Sequence, residues 1–202
     1  NSVFNIARLT EAKKFELYNQ KVIGFKEIPD DAPLNDNQWM QVESELNNNT
    51  SIDKKKLKEF VKDLQYPLYF LDFETFGTAV PVFDKSRPYQ QLVFQYSLHC
   101  LPTAKGKLIH SEFLAEANGS DPRTLFVEKL IANCGTEGDI LVYNIGFERG
   151  KLNDLVLQFP KYKTKLNNII SRLRDLMTPF QQRWYYTPSM QGSYSIKKVL
   201  PA

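Results

Sequence analysis

Apolar residues in the first third of the chain recur at helical spacing. Phe4, Ile6, Leu9, Phe15, Leu17 and Tyr18 stand among polar neighbours over 4–21 and predict a helix. EIPDDAPLNDNQ is a Pro/Asp/Asn loop, after which Leu34-Asn35 opens a second helix through QWMQVESEL. NNNTSIDKKKLKEFVKDL predicts a loop and then a third helix. At Tyr66 the period changes. PLYFLDF (67–73) predicts a buried strand, and in QQLVFQYSLHCL (90–101) Leu92, Phe94, Tyr96 and Leu98 alternate with Val93, Gln95, Ser97 and His99, as in a second strand. KGKLIHSEFLA (105–115) predicts a third strand, joined to the second as a hairpin.

Helical and extended segments then alternate. DPRTLFVEKLIANC predicts a helix with Asp121 as N-cap, Pro122 at the first helical position, and Leu125, Leu130 and Ile131 as its apolar face. DILVYN (139–144) predicts a short buried strand, and FERGKLNDLVLQF a helix ended by Pro160. YKTKLNNIISRLRDL predicts another helix leading to a brief extended stretch, and GSYSIKKVL starts a last helix. Three antiparallel strands followed by βα units make a mixed α/β sheet with flanking helices. The change at Tyr66 places a small helical lead-in at 1–65 and the main domain at 66–202.

Composition adds limits. With 202 residues and 42% hydrophobic content there is material for one cored domain and a small appendage. The aromatic content, 14 Phe, 10 Tyr and 2 Trp, argues against disorder of the whole chain. A net charge of +3 says little by itself about nucleic acid. Two cysteines, Cys100 and Cys134, make no disulfide framework and fit a reducing, cytoplasmic setting. No apolar run is long enough to span a bilayer, and there is no signal-peptide pattern. The chain starts at Asn1 and stops after SIKKVLPA, so both ends are expected to continue in a longer protein.

The candidate chemistry lies at two strand ends. Asp72 and Glu74 are two apart on a strand, so both side chains leave the same face, while Phe73 turns toward packing. Two carboxylates this close raise each other's pKa unless a cation joins them, and hard oxygen donors suit Mg²⁺ or Mn²⁺. The plain alternative is a strand that runs out into solvent. In DILVYNIGFERGKL, Asn144, Phe147 and Glu148 follow a second buried strand, with Glu148 opening a helix whose dipole favours a carboxylate. The plain alternative there is an ordinary first-turn Glu with Asn144 as N-cap.

YFLDFETFG followed by LVYNIGFERGKL resembles the DEDD-type (DnaQ-like) 3′-to-5′ exonucleases of the ribonuclease H-like superfamily, in which a strand ending Asp-x-Glu is followed by a strand ending Asn-x-x-Phe-Asp. YPLYFLDFET, PYQQLVFQYSLH, DPR, DLMTPF and GSYSIKKVLPA also resemble an uncharacterised bacterial domain-of-unknown-function family, over nearly all the chain. The resemblance implies a ribonuclease H-like fold, truncated at its C-terminus, and metal-dependent hydrolysis of phosphodiester bonds in DNA or RNA with two Mg²⁺ or Mn²⁺ ions. It implies Asp72 and Glu74 as first-motif metal ligands, and Glu148 as a ligand where the superfamily usually has Asp. Asn144 matches the Asn before it, and Asp175 falls at a position that is usually structural. The third motif, with its general base and fourth acid, would follow the YSIKKVL segment, where the chain stops. In members of the family this domain can follow a nuclease-like region, so an adjacent nuclease domain is an expected partner.

Single-stranded nucleic acid is the expected ligand, with Asn144, Phe76 and Tyr89 as candidate contacts; aromatic rings can stack on bases. Lys54, Lys55, Lys56 and Lys58, and Lys161, Lys163 and Lys165, form basic runs that could touch phosphates or simply be solvated faces. His99 and His110 read as surface or packing histidines of the hairpin. QQRWYYTPSMQGSYS is either a flexible lip or a packed loop. Two rival readings are a non-catalytic nucleic-acid-binding or assembly module of the same fold, and a protein-interaction domain with vestigial acids.

Overall fold

The apolar run after Pro67 becomes the central strand of a five-stranded sheet. In the computed structural model, which describes residues 1–202, the chain divides into two units: Asn1–Lys62 together with Met177–Ala202, and Asp63–Leu176.

The first unit opens with α1 (Glu11–Asn19), α2 (Asp36–Asn47), the two-residue strand β1 (Ser51–Ile52) and α3 (Lys54–Lys62). The helix expected over 4–21 is instead a 3-10 turn at Val3–Asn5 followed by α1. Ser2 caps the turn, the Thr10 side chain caps α1, and Arg8 between them has φ +56°. Asn35 and Gln38 form a capping box on α2. Val3, Ile6, Leu17, Phe25 and Val42 build this unit's own core.

The second unit contains β2 (Leu68–Phe76), β3 (Leu92–Leu101), β4 (Ile109–Leu114), α4 (Arg123–Cys134), β5 (Ile140–Val142), α5 (Ile145–Gln158), α6 (Lys163–Ser171) and β6 (Leu173–Asp175). The strand order is β4-β3-β2-β5-β6. β2, β3 and β4 are antiparallel neighbours, whereas β5 and β6 run parallel to β2. The 67–73 segment is thus an inner strand, with 90–101 on one side and 139–144 on the other, as the apolar runs predict.

The last elements, α7 (Thr178–Gln181), β7 (Tyr185–Tyr186) and α8 (Ile196–Val199), belong to the first unit. This corrects the expected assignment of all of 66–202 to one domain. β7 pairs with β1 through Ser51 and Tyr186, and the Asp53 amide donates to the Trp184 carbonyl at 2.7 Å. Tyr186 and Met190 are fully buried, so QQRWYYTPSMQGSYS is a packed segment.

Strand alternation sorts the sheet's two faces. Tyr69, Leu71 and Phe73, with Tyr96 and Leu98 beside them, pack under Phe126 and Leu130 of α4, Leu152 of α5 and Leu166 of α6. Each such buried side chain contributes roughly 1.5–3 kcal/mol. Leu125, expected on the apolar face of α4, is 51% exposed; Leu130 faces the core as expected, joined there by Phe126 and Val127. Asp121 precedes the first turn of α4 and accepts from the Arg123 amide at 3.0 Å. The other face of the sheet presents Phe70, Asp72 and Glu74 of β2, Ser97 and His99 of β3, and His110 and Glu112 of β4.

Candidate functional site

Asp72 and Glu74 are both exposed and flank the buried Phe73. They share a face, as the strand period requires, with Asp72 opposite Ser97 and Glu74 opposite Gln95. The ladder slips immediately after, between Glu74 and Thr75. The slip leaves Phe94 of β3 as an extra residue opposite the acids' strand, an irregularity of the kind common next to functional sites.

The second acidic motif is built by a turn. β5 ends at Val142, and the chain reaches α5 through Asn144 in the left-handed region, φ 72° and ψ 68°. Asn is among the few residues that tolerate this conformation. Asn144 occupies the N-cap position, yet its side chain makes no capping hydrogen bond. Asp175, at the end of β6, supplies the cap. It accepts from the backbone N–H of Asn144 at 3.0 Å and of Ile145 at 3.2 Å.

Glu148 lies in the first turn of α5 and is only 3% exposed. Burial pushes its carboxyl up to about 7, its own backbone N–H pulls the other way, and the charges of Asp72 and Asp175 add to the rise. The helix N-terminus therefore does not decide the balance: desolvation outweighs it. One carboxylate oxygen, Oε2, is buried with no hydrogen-bond partner. The Tyr143 phenol is pushed up to about 12, by burial first and by Asp175 second.

The structure therefore brings Asp72 and Asp175 into electrostatic reach of Glu148. Glu74 shares the face of Asp72 but is not among the charges acting on Glu148. No three His, Cys, Asp or Glu side chains are drawn tightly enough around one point to hold an ion by themselves. Phe76 packs edge-on against Phe83 and Phe94, with ring centroids 6.1 and 6.0 Å away, and lines an open apolar pocket of about 510 Å³ with them and Leu114. Tyr89 is 75% exposed and has φ +57°, with its amide held by the Thr78 carbonyl at 2.8 Å.

The donor chemistry fits a hard divalent ion. A buried carboxylate oxygen without a partner, beside two further carboxylates, is a costly arrangement that a cation would relieve. Mg²⁺ commonly takes one or two protein carboxylates and completes its shell with water and substrate phosphate oxygens, so three converged protein donors are not required. Asp72 and Glu148 would hold such an ion.

The fold and site define a mixed α/β protein whose adjacent central strands each lead to an acid at the same end of the sheet. The chain belongs to the family described as "Domain of unknown function (DUF2779)", whose model matches residues 69–195. It is 30% identical over 155 residues to "Uncharacterized protein MG366 homolog" of Mycoplasma pneumoniae, an overlap of 72% of this chain and 23% of the relative. It is 29% identical over 168 residues to "Uncharacterized protein UU173" of Ureaplasma parvum serovar 3, covering 77% of this chain and 24% of that one. The chain thus spans about a quarter of the length of these curated relatives. No solved structure matches it. No helix is long and apolar enough to cross a membrane.

Proposed function

We propose that the sheet unit is a ribonuclease H-like, metal-dependent nuclease domain of the DEDD exonuclease type, hydrolysing phosphodiester bonds from an end of single-stranded DNA or RNA. The observation that carries this reading is Glu148: a buried carboxylate with a partnerless oxygen, lifted first by burial and further by the charge of Asp72 from the neighbouring strand. Three antiparallel strands followed by two parallel, helix-linked ones are the kind of mixed sheet that the resemblance implies. Asp72 and Glu148 would bind Mg²⁺ or Mn²⁺, and Glu74 would reach a second ion or an ion-bound water from the same strand face. The ions would supply an activated water and stabilise the leaving oxygen. Asp175 acts as a positioning residue, fixing the turn from which Glu148 rises. Tyr89 offers an exposed ring for a base.

A second reading, a nucleic-acid-binding or assembly module that does not cleave, is favoured by one observation: no three acids converge on a point. An adjacent nuclease domain in the parent protein belongs to this proposal as well.

The test is product release from end-labelled oligonucleotides with Mn²⁺, for residues 1–202, for the full-length parent and for Asp72→Ala in the parent. The nuclease reading expects slow or no cleavage by residues 1–202, faster cleavage by the parent, and loss of that gain in the variant. A parent without activity under either metal, yet binding the oligonucleotide, would replace it with the binding-module reading.

A further inference from the structure

A separate group of side chains lies across the β3–β4 hairpin, independent of the nuclease reading. His99 and His110 pair in register on adjacent strands. Their ring centroids are 4.4 Å apart with the planes 25° from parallel. His110 Nε2 lies 3.2 Å from Ser97 Oγ and 3.9 Å from Glu112 Oε2. Glu112 is two residues beyond His110 and so on the same strand face. The hairpin therefore presents two imidazoles and a carboxylate together.

We propose that His99 and His110, with Glu112 as the third donor, form a site for a borderline divalent ion of the Zn²⁺ type. Neutral imidazoles favour such ions, and two His with one carboxylate leave a fourth position open for water or a ligand. With metal–nitrogen bonds of about 2.0–2.1 Å, two ring nitrogens on one tetrahedral ion sit roughly 3.3 Å apart. The two rings already stand side by side, with centroids 4.4 Å apart. The side chains of His110 and Glu112 are 45% and 72% exposed, so they can turn without disturbing the core. The three donors do not converge unaided; the ion gathers them. Hard ions prefer the all-oxygen donors at Asp72 and Glu148, so the two sites differ in ion as well as place.

The test is calorimetric titration of residues 1–202 with Zn²⁺ at pH 7.5, with the imidazole proton resonances followed in parallel. An ion at the hairpin is expected to shift the resonances of both histidines, whereas an ion at Asp72 and Glu148 would leave them unmoved. Loss of an outer-shell partner already weakens a metal site roughly 10–100-fold, so His99→Gln and His110→Gln, each losing a direct ligand, should weaken binding by at least about 10-fold. Affinity should fall on acidification, because protons compete with the ion for ligand nitrogens. Cys100→Ser should bind Zn²⁺ as the unaltered chain does. Unshifted histidine resonances at saturating Zn²⁺, or unaltered affinity in both His variants, would overturn the proposal.

Discussion

The two ends of the β2–β5 strand pair treat buried charge in opposite ways. At the end where both strands begin, Asp139 is 5% exposed and fully engaged: it accepts from the Gln65 amide at 2.9 Å and pairs with Arg174 at 3.2 Å. Arg172 lies close by and donates to the carbonyls of Cys134, Gly135 and Gly138 at the end of α4. At the end where the strands finish, Glu148 is just as buried, but its Oε2 has no partner and its neighbours Asp72 and Asp175 are acids. Charge that is matched within the chain holds a fold together. Charge left unmatched destabilises it, and persists where something outside the chain provides the match. The difference supports the proposal that the finishing end is the functional one, without reference to any motif.

Removing a partner at the matched end should have the largest effect. Asp139→Ala leaves the Gln65 amide without its acceptor and frees Arg174 beside a buried gap. Breaking a buried pair in this way costs about 3–5 kcal/mol. Arg174 is half exposed, which limits the loss to the lower part of that range. Denaturant unfolding checks this, and Mn²⁺ affinity at the far end should not change in the folded protein. A variant as stable as the unaltered chain would remove the contrast between the two ends.

Glu148→Gln should act with the opposite sign. The folded-state carboxyl sits at about 7, against 4.5 in the unfolded chain. The folded state therefore binds more protons between these values. Stability contributed by the protonated form is complete below about 4.5 and is lost as pH rises through about 7. The difference of about 2.5 units corresponds to about 3 kcal/mol. In metal-free buffer Glu148→Gln should thus be close to neutral at pH 4.5 and stabilising by up to about 3 kcal/mol at pH 8. With Mn²⁺ present the variant's advantage at pH 8 should nearly vanish, because an ion at 100 times its Kd stabilises the unaltered chain by about 2.7 kcal/mol and the variant by much less. Thermal melts at both pH values, with and without Mn²⁺, check the four cases. A pH-independent difference would mean that Glu148 carries no burial penalty.

Much of this arrangement was legible in the residues. The alternation in LDFET put Asp72 and Glu74 on one face, and the buried run before Asn144 put Glu148 at a helix start. Asp175 was harder to weigh. It sits in RLRDL, where Ile169, Ile170 and Leu173 continue the helical spacing of α6 into what is a three-residue strand. A strand that short shows no period of its own, and only its pairing with Val142 reveals the role of its last residue. The return of 177–202 to the first unit was equally hidden. It rests on pairing between Ser51 and Tyr186, far apart in sequence, of which neither segment carries a local sign.

Asp175→Ala tests that hidden role at intermediate size. The variant uncovers the amides of Asn144 and Ile145, and loss of a helix cap costs about 0.5–2 kcal/mol. It also removes one of the charges that raise Glu148, so the Glu148 carboxyl should titrate at lower pH. Chemical unfolding measures the first effect, and carboxyl carbon resonances across a pH titration the second. An unshifted Glu148 would place Asp175 outside its electrostatic reach.

The smallest effect should come from Asn144→Gly, and its size is the useful part. The residue holds φ 72°, a conformation that glycine reaches more readily than asparagine, while its side chain contributes no capping bond. Glycine at an N-cap differs from asparagine by only a few tenths of a kcal/mol. Stability should therefore stay within about 0.5 kcal/mol of the unaltered chain, with Glu148 still held by Asp175 through the backbone. Any loss of oligonucleotide binding or cleavage in this variant then belongs to the missing carboxamide. Asn144→Val at the same position separates side-chain function from backbone strain: a β-branched residue in the left-handed region costs about 1–3 kcal/mol and should shift the turn itself. If glycine and valine impair oligonucleotide binding equally while only valine destabilises, Asn144 contacts the nucleic acid. If only valine impairs it, Asn144 serves the turn, and the finishing end owes its chemistry to the carboxylates alone.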